Sequence, residues 1–306
     1  MTTKDDIMDA EQKCHASQDF DEYQSCLKEL NDTVGKYLTE RFGTKGYGCN
    51  AADFTERNIG TFIEKTLNAI GLSVDDISDI ILECESGTRN VFALETKEGN
   101  KIWIKAAGTN RPTTLTEMIV TKEVSDIADM IGEDTPHIVY QDVPNRLMAI
   151  SDVAGKSLMS DASVYNQFSP TEMATNSLFE ILLMDGDRIR DNVRHSDRII
   201  SEIDFAAIQP INSLKQWRNS KASNYLLKRL FNDLENIQRG DSPMDKQWTI
   251  NYIKSMRQKM NEFDHKKNDI KVVAPHISKW NLERAEKIYA ELDDFLNRTE
   301  AALAKD

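Results

Sequence analysis

Strand-forming sequence in this chain is concentrated in one block, residues 77–150, with helical patterning on either side. Ile80-Ile81-Leu82, Val91-Phe92-Ala93-Leu94 and Lys101-Ile102-Trp103-Ile104-Lys105 are short runs rich in β-branched and aromatic residues. Ser86-Gly87-Thr88-Arg89-Asn90 and Lys97-Glu98-Gly99-Asn100 separate them. Three strands joined by two such turns predict an antiparallel meander. Side chains alternate along a strand, so Lys105 shares a face with Trp103 while Ile102 and Ile104 share the other. Met118, Ile119, Val124, Ile127, Ala128 and Ile131 recur at helical spacing and predict a helix over 113–131. Ile138-Val139-Tyr140 and Leu147-Met148-Ala149-Ile150 predict two further strands around a turn at Pro144-Asn145. A block of β-β-β-α-β-β embedded in helical sequence restricts the chain to the α+β class.

The flanks divide the chain into three parts: a helical extension over 1–76, the strand block over 77–154 and a helical portion over 155–306. In the extension, Tyr23, Leu27, Leu30, Val34, Leu38 and Phe42 form one apolar stripe, which predicts a helix through residues 1–42. A second helix is predicted from about 52 to 69, with Phe54, Phe62, Ile63, Leu67 and Ile70 inward and Gly71 ending it. Between them, Gly43–Asn50 carries three glycines and Lys45, but no strand precedes it and the P-loop order is missing, so an inter-helix loop is expected. In the helical portion, Ser169 followed by Glu172 marks a helix start. Beyond residue 204, three amphipathic helices are predicted over 213–239, 243–263 and 278–303, with a break over 264–277 that contains Pro275-His276.

Composition removes several function classes. The net charge of −13 argues against a general nucleic-acid binder, which needs a basic face. Cys14, Cys26, Cys49 and Cys84 are widely spaced and make no metal-ligand pattern, so reduced thiols in a cytoplasmic setting are expected. Among His15, His137, His195, His265 and His276, no pair has the spacing of a helical zinc site. No apolar run approaches the ~18–20 residues of a membrane span, so no transmembrane segment is expected. The polar, acidic start MTTKDDIMDAEQK matches neither a secretory nor a mitochondrial leader. Such a sequence also suits an injected bacterial effector acting in a host cytosol.

The chemistry-bearing stretch is Leu178–Ala206, LFEILLMDGDRIRDNVRHSDRIISEIDFA. An apolar helical run leads into Asp187; Asn192 follows five residues later, and Asp204 closes a strand-like run containing Ile199, Ile200 and Ile203. One carboxylate to position an accepting hydroxyl, with an amide and a second carboxylate to hold magnesium, is what a nucleotide-dependent phosphoryl transferase requires. Arg188, Arg190, Arg194 and Arg198 surround the stretch, as a solvated rim or as contacts for an acidic substrate. His195 is expected in a surface turn.

This order of elements, with D-x-x-x-x-N at Asp187–Asn192 and D-F at Asp204-Phe205, resembles the protein-kinase-like fold. LFEILLMDGDRIRDNV is similar to the catalytic loop of the atypical branch, which includes phosphatidylinositol 3/4-kinases, actin-fragmin kinase and HipA-type kinases. GTRNVFALETKEGNKIWIKAAG and ISDVAGKSL are similar to the aminoglycoside phosphotransferase and fructosamine kinase branch. The resemblance covers about residues 77–210. It implies a two-lobed α+β fold, with a small antiparallel-sheet lobe carrying one helix, a mainly helical lobe and an N-terminal helical extension.

It also implies roles. Lys105 would bind the α/β-phosphates of ATP, and Glu123 would hold Lys105, with Glu117 as a rival. Ser86, Gly87 and Thr88 would cover the phosphates. Asp152, in the link Ser151–Ala154, would meet the adenine edge. Asp187 would orient the acceptor hydroxyl, and Asn192 and Asp204 would coordinate Mg²⁺. The chain departs from the conventional pattern at Ile189, where the atypical loop has histidine, and at Ala206, where D-F-G has glycine. No A-P-E follows. The implied activity is an atypical kinase acting on a protein hydroxyl. Kinase action on a small molecule or lipid headgroup, AMP transfer, or a pseudokinase-type binding module are the alternatives. A regulatory partner could dock on the N-terminal or C-terminal helices.

Overall fold

The computed structural model describes residues 2–18, scattered positions between 21 and 40, and residues 59–83, 90–106, 112–133, 135–145, 147–152, 156–157, 165–183, 193–196, 199–202, 213–219, 225–241 and 244–305. They belong to two compact units. The first takes in residues 1–122 and 136–152, the second residues 123–135 and 153–306.

The first unit begins with α1 (Lys4–Ala16), started by a capping box in which Thr3 and Asp6 satisfy each other's backbone N–H groups. The single helix predicted over 1–42 is interrupted. α1 stops at Ser17, and the described residues from 21 to 40 are again helical. They run back along α1: Lys13 pairs with Glu29 at 3.2 Å, and the Cys26 thiol donates to the Ala10 carbonyl at 3.6 Å. Ile7, Ala10 and Cys14 are buried, as are Cys26 and Leu30. An apolar stripe is stabilised only when something covers it, and the hairpin covers it with the chain's own first helix.

The sheet is made of β1 (Ile77–Glu83), β2 (Asn90–Thr96), β3 (Lys101–Ala106), β4 (Ile138–Asp142) and β5 (Leu147–Ser151). All neighbouring pairs are antiparallel, in the order β1-β2-β3-β5-β4. Gly99, at φ 85°, makes the tight β2–β3 turn, which a Cβ-bearing residue would strain. One face of the sheet lies under α2 (Ile59–Ala69): Phe62 and Leu67 pack with Leu94, Ile102, Ile104, Leu147 and Ala149. Between β3 and β4 the chain forms α3 (Pro112–Ile131), whose first part belongs to the sheet unit and whose last turns, from Glu123, belong to the second unit.

The second unit is built round α4 (Pro170–Leu183). The predicted N-cap is present, with Ser169 Oγ accepting from the Glu172 N–H at 3.1 Å. Every residue of α4 from Met173 to Leu183 is buried. α7 (Lys246–Val273) and α8 (Pro275–Leu303) pack directly against it, and α5 (Leu214–Asn219) and α6 (Tyr225–Arg239) pack against α8. The break predicted over 264–277 shrinks to Ala274. No glycine or proline stands between 264 and 274, and buried Ile270 anchors the last turns of α7. Pro275 then ends the helix at the residue before it and opens the next as its first residue.

A second sheet, β6 (Lys156–Ser157), β7 (Val193–Ser196) and β8 (Ile199–Glu202), belongs to the same unit. No helix among the described residues is long and apolar enough to cross a membrane.

Candidate functional site

In the sheet unit, Lys105 stands on β3 opposite Val91 of β2 and Met148 of β5. Trp103 is on the same face, opposite Ala93 and Ile150. Ala93 and Met148 are fully buried, and Lys105 is partly buried. The alternation read from sequence therefore holds: the isoleucines of β3 serve the core under α2, and the other face presents a lysine on an apolar floor. Asp152, the first residue after β5, is tied to β3 twice. Its N–H donates to the Lys101 carbonyl at 3.2 Å, and its carboxylate accepts from Trp103 Nε1 at 2.7 Å. The indole was not singled out by the sequence. The signal for it was available, since a tryptophan needs a partner for its N–H and the strand pairing brings Asp152 to it. Ser86, Gly87 and Thr88 lie outside the described residues; the strands they join are paired up to Glu83 and Val91.

The sequence assigns Glu123 to Lys105; in the structure its carboxylate meets the first turn of α8. The His276 N–H donates to both oxygens at 3.2 and 3.1 Å, and the Ile277 N–H donates at 2.9 Å. His276 Nδ1 lies 2.8 Å from Oε1. Both residues are buried. The physical reason is that α8 starts Ala274-Pro275, which supplies neither a capping side chain nor an N–H at the proline. The next donors seek a carboxylate, and the helix N-terminus favours its charge.

In the helical unit, α4 ends at Leu183, and its carbonyl accepts from Asn281 Nδ2 of α8 at 2.8 Å. Asp187 follows in sequence and lies outside the described residues, as do Asn192 and Asp204. The segment between the last two is described. β7 and β8 form an antiparallel hairpin in the register Val193↔Glu202 to Ser196↔Ile199. His195 is therefore a strand residue, paired across to Ile200 and Lys156, and not part of a turn. Among the described residues, no three His, Cys, Asp or Glu side chains are grouped to hold a metal ion.

No protein-family model matches the chain, and no curated protein matches it. Solved structures do. The Rio2 kinase of Chaetomium thermophilum, in an ADP/Mg²⁺-phosphoaspartate complex, is 11% identical with a TM-score of 0.40, over 84% of this chain and 86% of that one. The ADP-bound aminoglycoside phosphotransferase APH(2″)-Ib is 12% identical with a TM-score of 0.28, over 80% and 97%. A MAP kinase of Leishmania major is 13% identical with a TM-score of 0.28, over 81% and 85%. Superpositions at this level do not decide the fold; the strand order and the placement of α3 do. The fold is α+β and protein-kinase-like. Its first unit holds five antiparallel strands with one helix inserted after the third, and its second unit is mainly helical.

Proposed function

We propose that the chain is an ATP- and Mg²⁺-dependent phosphotransferase of the atypical kinase type, acting on a hydroxyl of a protein substrate. The observation that carries this reading is the β7–β8 hairpin. Antiparallel pairing brings Val193 opposite Glu202; in sequence Asn192 directly precedes Val193, and Asp204 comes two residues after Glu202. An amide oxygen and a carboxylate are hard donors suited to Mg²⁺. In sequence, Asp187 lies between the end of α4 at Leu183 and the start of the hairpin at Val193.

In this reading the adenine lies against the Ala93–Met148 face and meets the link at Asp152. Lys105 binds the α/β-phosphates, and Ser86, Gly87 and Thr88 cover them with backbone N–H groups. Glu117 takes over the part first given to Glu123, because Glu123 is occupied by α8. Mg²⁺, when bound, neutralises charge on the phosphates. Asp187 accepts the proton of the acceptor hydroxyl as its oxygen bonds to the γ-phosphorus and ADP leaves.

The test is transfer of label from γ-³²P-ATP by the full chain to itself or to a lysate, compared with Asp187→Ala and Asp204→Ala. Label lost in both variants supports the reading, and equal labelling by all three overturns it. Label confined to the small-molecule fraction would move the acceptor to a metabolite or lipid headgroup. Label retained only from α-³²P-ATP would replace phosphoryl by AMP transfer.

A further inference from the structure

α7 and α8 are long helices joined at a single residue, Ala274. They run antiparallel, side by side. Arg257 of α7 meets Asp293 of α8 at 3.6 Å and Glu300 at 2.8 Å, and Lys267, further along α7, meets Glu286. Residues 271–279 therefore form the tip of a helical hairpin. Val272, at this tip, is 79% exposed, the most exposed large apolar side chain among the described residues, and Val273 beside it is 37% exposed. Single exposed apolar residues are normal on a protein surface. This adjacent pair differs in being set among cations. Lys271 precedes it on α7 and Lys279 follows it on α8, and both lysines are exposed.

Beside the tip, the two helices bound a cavity of about 400 Å³. Lys267 and Lys271 line it from one face of α7, and Lys279, Leu282, Glu283 and Glu286 line it from one face of α8. Its carboxylates have cations of their own: Glu286 pairs with Lys267, and Glu283 with Lys287 at 2.9 Å. Lys271 and Lys279 add positive charge beyond that balance. Asp269 does not offset them in the cavity, because it stands two residues from Lys271, roughly 200° around α7.

Charge and shape together select what covers this tip. The chain carries a net charge of −13, so most of it is repelled by an anionic surface. Charges in physiological salt act over only about 8 Å, so the lysines nearest such a surface govern attachment to it. A folded acidic protein would suit the lysines, but it would need a matching groove for an exposed apolar tip. A bilayer needs none: its acyl boundary receives the valines and its lipid phosphates receive the ammonium groups.

We propose that the tip of the α7–α8 hairpin is a docking site for an anionic membrane. Val272 and Val273 enter the headgroup layer, Lys271 and Lys279 lie against lipid phosphates, and the cavity between the helices receives a headgroup. Docking of this kind is weak and reversible, at or below the binding constant of about 10⁴ M⁻¹ given by a single acyl chain. It does not depend on the phosphotransfer chemistry and can be tested apart from it.

The experiment is co-sedimentation of the full chain with vesicles of phosphatidylcholine alone or of phosphatidylcholine with one third phosphatidylserine. Wild type is expected to partition onto the anionic vesicles, to be released by added salt and to leave the neutral vesicles nearly bare. Val272→Ser/Val273→Ser should lower the partition coefficient roughly tenfold. Lys271→Gln/Lys279→Gln should lower it by roughly tenfold to thirtyfold, and Lys271→Arg/Lys279→Arg should retain it. Val74→Ser, at a 60% exposed position of the other unit, should change nothing. Thermal melts of each variant should match wild type, since the substituted side chains lie at the surface. No partition onto anionic vesicles, equal partition onto neutral ones, or partition that the tip variants leave unchanged would each overturn the docking site. So would self-association of the chain that the valine variant abolishes, which would make the tip a contact between copies, or binding of inorganic phosphate without any binding of vesicles.

Discussion

The two units bury different things. Under α2, the sheet unit buries an all-apolar cluster of Phe62, Leu67, Leu94, Ile102, Ile104, Leu147 and Ala149. Lys105 is on the other face, with Lys101 and Trp103. At the centre of the helical unit, α4 buries Asn176, Ser177 and Glu180 along with its leucines. Ser177 meets the Tyr252 hydroxyl at 3.0 Å, and Asn176 donates to Glu133. A sheet has two faces, so it can give one to the core and keep the other for a ligand. A helix buried all round has no free face, and its polar residues must find partners inside. Such partners cost stability if any is missing, and in return they fix one arrangement.

The largest effect expected from breaking this contrast is chemical. Asp187→Ala should lower phosphoryl transfer by ~10²–10⁴-fold, as for loss of a catalytic base, while leaving the thermal midpoint near that of wild type. Next comes Ile104→Ala, at a fully buried position of the sheet core. It should cost about 2–5 kcal/mol in urea unfolding and should be felt in the sheet unit first by hydrogen exchange. Asn176→Ala should cost about 1–3 kcal/mol, because buried Glu133 loses the amide that it accepts from. Exchange should then rise in α4 and not in β2 or β3, and a uniform rise would show that the units are not separate in their cores.

The smallest effect is at the surface of the helical unit. Arg218 donates to Glu235 at 2.6 Å and holds its carboxyl below the usual value of 4.5, against a smaller opposing effect of burial. A depressed carboxyl contributes stability above its unfolded pKa and loses it as acid protonates the folded group. Glu235→Gln should therefore be less stable than wild type near neutral pH, by about 1 kcal/mol for a partly exposed pair. The gap should close as the pH falls below about 4, as read by thermal melts. A gap that widens in acid would reverse the sign.

Much of the scaffold was legible because it depends on local pattern. The alternation in β3, the helix over α3, the Ser169 cap and the turn at Gly99 each follow from residues close in sequence. What was not legible depended on partners far along the chain. The stripe over residues 23–42 looks like a single long helix, and only Ile7, Ala10 and Cys14 coming to meet Cys26 and Leu30 show that it folds back. His195 stands in a strand because Lys156 and Ile200 supply its ladder neighbours. Glu123 has the spacing expected for a lysine partner, yet spacing carries no information about a helix start 153 residues away.

The sequence by itself determined the element types, the five-stranded block and the candidate set of Lys105, Asp187, Asn192 and Asp204, because periodicity and turn chemistry act over a few residues. The tertiary structure decided what Glu123 meets, what holds the end of α4, and how β7 pairs with β8 and β6. Those outcomes depend on unsatisfied backbone groups: the first N–H groups of α8 and the last carbonyl of α4 had to be paired, and the only way to find their partners is to fold the chain.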